Sequence, residues 1–187
     1  MHRSFAILLL ALVSLSTSGC EDTVDPGELQ ITDELAAEIT RGSLMLGALA
    51  VELALPISEP PSINGCPSTT ETQDFLTLDY GAGCLSESGL FELGLIGSAS
   101  FTLAGGTGVF VGTLNPLGFP NLPILGALSG QVSRAGDLVT ADLEFSDVVW
   151  TENGLENTFD GLFELSVDTD DVLLNLASGR LLRGGEP

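Results

Sequence analysis

The chain has 187 residues, with 26 acidic and 5 basic side chains, a formal net charge of −21 and 44% apolar residues. The length favours a single domain, and the apolar share is too high for a chain disordered throughout. Such a charge repels nucleic acid, so no nucleic-acid partner is expected, and it opposes unaided adhesion to an anionic membrane.

The first twenty residues, MHRSFAILLLALVSLSTSGC, place a short basic end (His2, Arg3) before an apolar run from Phe5 to Leu15, then small polar residues and Cys20. This is the pattern of a secretory signal, too short for a transmembrane span. Its end, Ser18-Gly19-Cys20, resembles the cleavage box of bacterial lipoprotein signals, with Thr17 where that family usually carries leucine. The resemblance implies cleavage before Cys20, acylation of that cysteine, and a protein held at the cell envelope by an N-terminal lipid anchor. Two or more acyl chains would anchor stably, since each buried methylene contributes about 0.8 kcal/mol. Residues 1–19 are thus read as signal peptide and 20–30 as an acidic tether.

Beyond the signal the basic side chains are Arg41, Arg134, Arg180 and Arg183. There is no lysine anywhere, and the single histidine is His2. Residues 20–187 therefore cannot build a Ser-His-Asp or Cys-His site, a Schiff base, or an imidazole ligand set for zinc, copper or haem. Paired carboxylates remain available for glycoside hydrolysis. Sugar sites usually want aromatic platforms, however, and the chain has one Trp and one Tyr. We expect no enzyme and no cofactor.

Residues 31–187 read as one β-rich domain with an N-terminal helix over about 31–55. Thr32 is placed to cap it, and Asp33 and Glu34 suit the positive end of its dipole. Leu35, Ile39, Leu46 and Leu49 share a face at helical spacing. From Leu44 the pattern is apolar nearly all round, which predicts burial, and Pro56 is expected to end the helix. A membrane-surface helix is the rival reading, disfavoured by the scarcity of basic residues.

A loop over 56–71 follows, then strand-like runs at 72–80, 90–103, 109–114, 124–134, 138–151, 155–167 and 172–182. The run 138–151 alternates Val139, Ala141, Leu143 and Phe145 against Thr140, Asp142, Glu144 and Ser146. Asn153-Gly154 then predicts a type I′ hairpin turn. Long strands joined by tight turns imply a mainly β fold, an antiparallel meander forming a barrel or sandwich, with the helix packed on or into it.

Four groups of residues are candidate sites. Cys66 and Cys84, in an exported chain, are expected to pair as a disulfide closing a loop of about 19 residues, worth roughly 3 kcal/mol in the chain-entropy model. Gly81 and Gly83 are then read as a tight turn that Cys84 locks. The run from Asp79-Tyr80-Gly81-Ala82-Gly83-Cys84 on to Gly89 and Gly97 resembles a motif in uncharacterised bacterial secreted lipoproteins, from which no activity carries over. Asp168, Asp170 and Asp171 resemble the start of a calcium loop without its glycine and distal glutamate. They are most simply an acidic turn, with calcium the only cofactor in prospect. The apolar, uncharged stretch 115–128 offers Leu117, Phe119, Leu122 and Ile124 as a contact loop for a partner or lipid. The alternative is that it folds back over an open barrel end. Gly106, Gly108 and Gly112 miss the dinucleotide fingerprint spacing and read as a turn between strands.

Taken together, the sequence predicts an exported, membrane-anchored lipoprotein with a non-catalytic binding or structural role at the bacterial envelope, on the outer membrane or a periplasmic or surface face. Its partner would be an envelope protein. The alternatives are a calcium-dependent or carbohydrate-binding module, and a carboxylate-based hydrolase.

Overall fold

Alternation of apolar and polar residues decides most of this fold. The computed structural model describes residues 33–60, 65–85, 94–104, 107–168 and 171–184, with the side chains of 33–39, 84 and 85 outside the description. Helix α1 (Asp33–Ser58) precedes eight strands: β1 (Ser68–Thr72), β2 (Phe75–Leu85), β3 (Gly94–Ala104), β4 (Val109–Phe119), β5 (Leu122–Ala135), β6 (Leu138–Glu152), β7 (Leu155–Val167) and β8 (Val172–Arg183). Each strand pairs antiparallel with the next, giving one sheet in the order β1 to β8. The fold is thus mainly β, a single meander with one helix against it. Among the described residues the strands form one sheet, with β1 and β8 at its two ends.

The sheet bends because its ladders are interrupted. Every strand pair from β2–β3 to β7–β8 contains a register shift, and such bulges increase local bend and twist. Gly97, at φ +89°, sits at one of them, and a Cβ there would overlap the Pro116 carbonyl oxygen. Asp147, at φ +50°, sits at another, and Asp160 Oδ1 accepts its N–H at 2.7 Å.

One face of the bent sheet holds the core, and α1 lies on it. Leu46, Leu49, Ala50, Val51, Leu53 and Ala54 of the helix are buried with Phe101, Phe110, Leu143, Phe145 and Phe163 of the sheet. Ring edges meet ring faces at Phe101–Phe110 (5.4 Å) and Phe145–Phe163 (5.7 Å), an arrangement worth about 0.5–1.5 kcal/mol beyond area burial. Gly42 lets the helix approach Trp150, and Gly47 lets it approach Leu174 and Phe163. Glycine inside a helix is unfavourable on propensity alone. These two are contact points, where closeness outweighs an intrinsic cost of about 1 kcal/mol each. The stretch Thr40–Ser58 is long and apolar enough to cross a membrane, and here it is the core helix of the sheet.

Several expectations need correction. Pro56 does not end α1, which runs to Ser58. Proline forfeits only the bond to the carbonyl four residues back, and the end is closed by Ser58 Oγ and the Glu59 N–H donating to the Leu55 carbonyl. Gly81 and Gly83 do not make a turn; both lie within bulged β2 at positive φ. Strand β1, Ser-Thr-Thr-Glu-Thr, falls in the expected loop, because it carries no apolar pattern. The stretch 115–128 is likewise no loop. It is the end of β4 and the start of β5, joined at Pro120-Asn121, with Pro116 at a register shift where its missing N–H is tolerated.

The meander has two rims. At the entry rim lie the β4–β5 and β6–β7 hairpins, the end of β8, and the first described turns of α1, where Arg41 pairs with Glu152. At the far rim lie the β1–β2, β5–β6 and β7–β8 turns and the end of α1, where Arg134 pairs with Glu59.

Phe163→Ala removes a fully buried ring under the helix and should cost about 3–5 kcal/mol. Leu173→Ser, at a side chain 70% exposed on β8, should stay within about 0.5 kcal/mol. Urea unfolding midpoints of the two variants check the contrast.

Candidate functional surface

The concave face is filled, and its centre is polar. Glu52, in the middle of the apolar run of α1, is fully buried. Tyr80 comes from β2, buried on the opposite wall, and its hydroxyl donates to the Glu52 main-chain carbonyl at 3.4 Å. The reason that carbonyl accepts from outside the helix is Pro56. In a regular helix the N–H four residues on would take it, and proline has none. Pro56, Glu52 and Tyr80 thus form one unit: the proline opens an acceptor and the tyrosine closes it. Burial, and secondarily the charge of Glu52, raise the Tyr80 phenol well above its ordinary value. The signal for this unit was present in sequence as a lone acid in an apolar run, four residues before a proline. The chain's only tyrosine could not be matched to it without the fold.

The convex face divides by charge. From 93 to 136 the sole charged residue is Arg134, so β3, β4 and most of β5 present an uncharged surface. Ser98, Ser100, Thr102, Thr113 and Asn115 line it, with Val111 62% exposed among them. Asn115 Nδ2 donates to Ser100 Oγ at 3.4 Å, and Ser98 Oγ donates to the Asn115 carbonyl at 3.3 Å. Strands β6 and β7 carry the acids. Asp142 stands directly opposite Glu164, a like-charge cross-strand pair that costs stability on an exposed face. Asn175 Nδ2 donates to Glu164 Oε2 at 3.0 Å.

Between β6, β7 and β8 the convex surface dips into a hollow of about 470 Å³, with Glu144, Asp160, Ser178 and Arg180 around it and Gly161 and Gly179 in its floor. Register sets Arg180 opposite Asp160. Asp160 Oδ1 also accepts the Asp147 N–H, so this carboxylate serves as local scaffolding of the bent sheet. Gly161 leaves room for the Phe159 ring on the core side. Among the described residues, no three of His, Cys, Asp and Glu are grouped to hold a metal ion.

The residues singled out in the sequence fall in separate places. Cys20 lies outside the described residues. Cys66 is half-buried and disulfide-bonded. The Cys84 backbone, in β2, pairs with Leu95 of β3, while the Cys84 side chain lies outside the described residues. Asp168 Oδ1 accepts the Asp171 N–H at 2.8 Å and the Asp168 N–H donates to the Asp171 carbonyl, so these two close the β7–β8 turn. Asp170 lies outside the described residues. Leu117 and Ile124, proposed for the contact loop, are fully buried partners across β4–β5. Phe119 and Leu122 are half-buried beside the core. This corrects the contact-loop expectation: by strand alternation and register all four side chains share the core-side face of the β4–β5 pair, Leu117 and Ile124 fully buried and Phe119 and Leu122 half-buried toward the hairpin.

No family model, no curated protein and no solved structure matches this chain.

Below the ordinary tyrosine pKa of 10.0, the phenol is protonated in both folded and unfolded chains. Above it the unfolded chain loses the proton and the folded one keeps it, so stability falls as pH rises through this range. No tyrosinate absorbance should appear until the protein unfolds, and Tyr80→Phe should remove this part of the alkaline loss. In stability measurements, Tyr80→Phe should cost about 1–3 kcal/mol by stranding the Glu52 carbonyl. The cost should shrink in a Pro56→Ala background, where an N–H from the helix can take that carbonyl.

Proposed function

We propose that the protein is an exported lipoprotein, anchored to an envelope membrane through Cys20, with a non-catalytic binding or structural role. The carrying observation is the signal-type N-terminus ending in Ser18-Gly19-Cys20. Three further features support it. Residues 20–187 contain no histidine or lysine, which removes most nucleophilic and acid–base chemistries. The concave face of the sheet, where a bent meander would hold a small ligand, is occupied by α1. Recognition therefore falls to the outer surface, and the part best suited to a protein partner is the uncharged face of β3–β5, where a strongly acidic molecule offers least repulsion. A disulfide at Cys66 agrees with an oxidising, extracytoplasmic address.

Expression of the full chain in a bacterial host fed an alkyne-labelled fatty acid tests the anchor. The wild-type chain should take up label and sediment with membranes. Cys20→Ser should lose both while its secreted domain unfolds at an unchanged temperature. An unlabelled wild-type chain in the soluble fraction would remove the reading.

A further inference from the structure

Strand β8 is a long edge whose backbone pattern can be followed from both of its ends. Among the described residues it pairs only with β7, and its 12 residues compare with 5 in β1 at the other end of the sheet. In an antiparallel pair, residues that exchange hydrogen bonds with the neighbour alternate with residues whose backbone groups point away. At the β7–β8 turn the Asp168 N–H donates to the Asp171 carbonyl. Asp171, Leu173 and Asn175 therefore turn their backbone groups to β7, and Val172, Leu174 and Leu176 turn theirs outward. At the opposite end the Gly184 N–H donates to the Glu156 carbonyl. Ser178, Arg180 and Leu182 therefore face β7, and Gly179, Leu181 and Arg183 face outward. The phase slips at Ala177, the extra residue between Leu176 and Ser178, which oppose Phe163 and Leu162. Outward-facing residues thus alternate regularly on each side of the slip, with one additional residue between them across it.

We propose that β8 is the interface of a symmetric homodimer, in which it pairs antiparallel with β8 of a second copy and the two sheets run on as one. A regular strand would stay in phase with only half of this edge. A second copy carries the same slip, and one register then matches every outward-facing residue: Val172 opposite Arg183, Leu174 opposite Leu181 and Leu176 opposite Gly179, each taken twice about the two-fold axis. Between those pairs, Leu173 meets Leu182 and Asn175 meets Arg180 on the convex face. Leu173, 70% exposed in the single chain, gains an apolar partner there, so changing it acts on pairing more than on the fold of one copy. Charge suits the same register. Residues 172–183 contain Arg180 and Arg183 and no acid. Asn175 donates to Glu164, so Arg180 enters beside that carboxylate of the second copy, and Asp171 comes beside the second copy's Arg183. The two Arg180 positions stand five residues apart along the paired strands, roughly 16 Å, beyond the Debye length of about 8 Å at physiological salt. A bulge usually keeps other strands off an edge, and this one admits its own copy.

Sedimentation equilibrium of the full chain carrying Cys20→Ser, which takes no lipid, reads the state of association. Expected is a monomer–dimer equilibrium whose dimer fraction rises with salt, because two strongly acidic copies repel until screened. Asn175→Arg sets an arginine against Arg180 twice across the interface and should raise the dissociation constant about tenfold, while Glu164 still holds position 175 within one copy. Leu176→Pro removes an outward N–H without touching the β7 ladder and should abolish the dimer. Trp150 fluorescence of diluted protein shows whether each variant keeps its fold, and if Leu176→Pro does not, Asn175→Arg decides. Register is read by oxidative cross-linking: Leu173→Cys with Leu182→Cys in one chain should give covalent dimers, and either substitution alone should not. A monomer at every salt concentration, a dimer that Asn175→Arg leaves unchanged, or cross-linking by Leu173→Cys alone would each overturn the pairing.

Discussion

Everything else in this molecule depends on burying one apolar helix. α1 contributes little to its own stability: two glycines and an internal proline weaken an isolated helix, and burying Glu52 adds a desolvation cost. What it offers is an apolar surface that the sheet can close over. At roughly 25 cal/mol per Å² of apolar area removed from water, its six fully buried side chains outweigh those local penalties together. The sheet in turn needs the helix, because its concave rows of phenylalanine and leucine have no second sheet to meet.

The same constraint explains the bends. A flat eight-stranded sheet would touch a single helix along only a few strands. Register shifts in six successive pairs bring walls as distant as Tyr80 on β2 and Leu174 on β8 to one helix. The residues that make this feasible are backbone-permissive ones, Gly97 at positive φ and Pro116 at a break in the ladder. Convex-face chemistry is then free to vary, and it separates into an uncharged half and an acidic half.

How much of this was legible in the sequence depended on periodicity. β6 and β7 were read almost to the residue, because Val139 to Phe145 and Phe159 to Val167 alternate cleanly and Asn153-Gly154 marks their turn. Gly154 and Asn153 do adopt positive φ, as that turn requires. β1 was missed because a polar edge strand carries no alternation, and the end of β4 because proline and glycine in a strand look like a loop. The glycines of β2 misled in the same way, since a bulge and a turn draw on the same residue. Of the candidate surface, the lack of charge from 93 to 133 was there to be counted. That it forms one face follows only from the pairing of β3, β4 and β5. The Glu52–Tyr80 contact spans 28 residues, and no local pattern encodes a separation of that kind.

Chain order has a consequence for how this fold is reached. The helix is made first, yet its partners include β5 to β8, so contacts such as Gly47 with Leu174 must close loops spanning most of the domain. Long-range closure is entropically costly and slows folding. Until the last strand arrives, an apolar segment long enough to cross a bilayer stands without its cover. A chain built this way depends on being held apart from membranes and from other copies of itself until folding is complete. Its high negative charge then acts as a colloidal safeguard, keeping unfinished molecules apart before the sheet has closed over the helix.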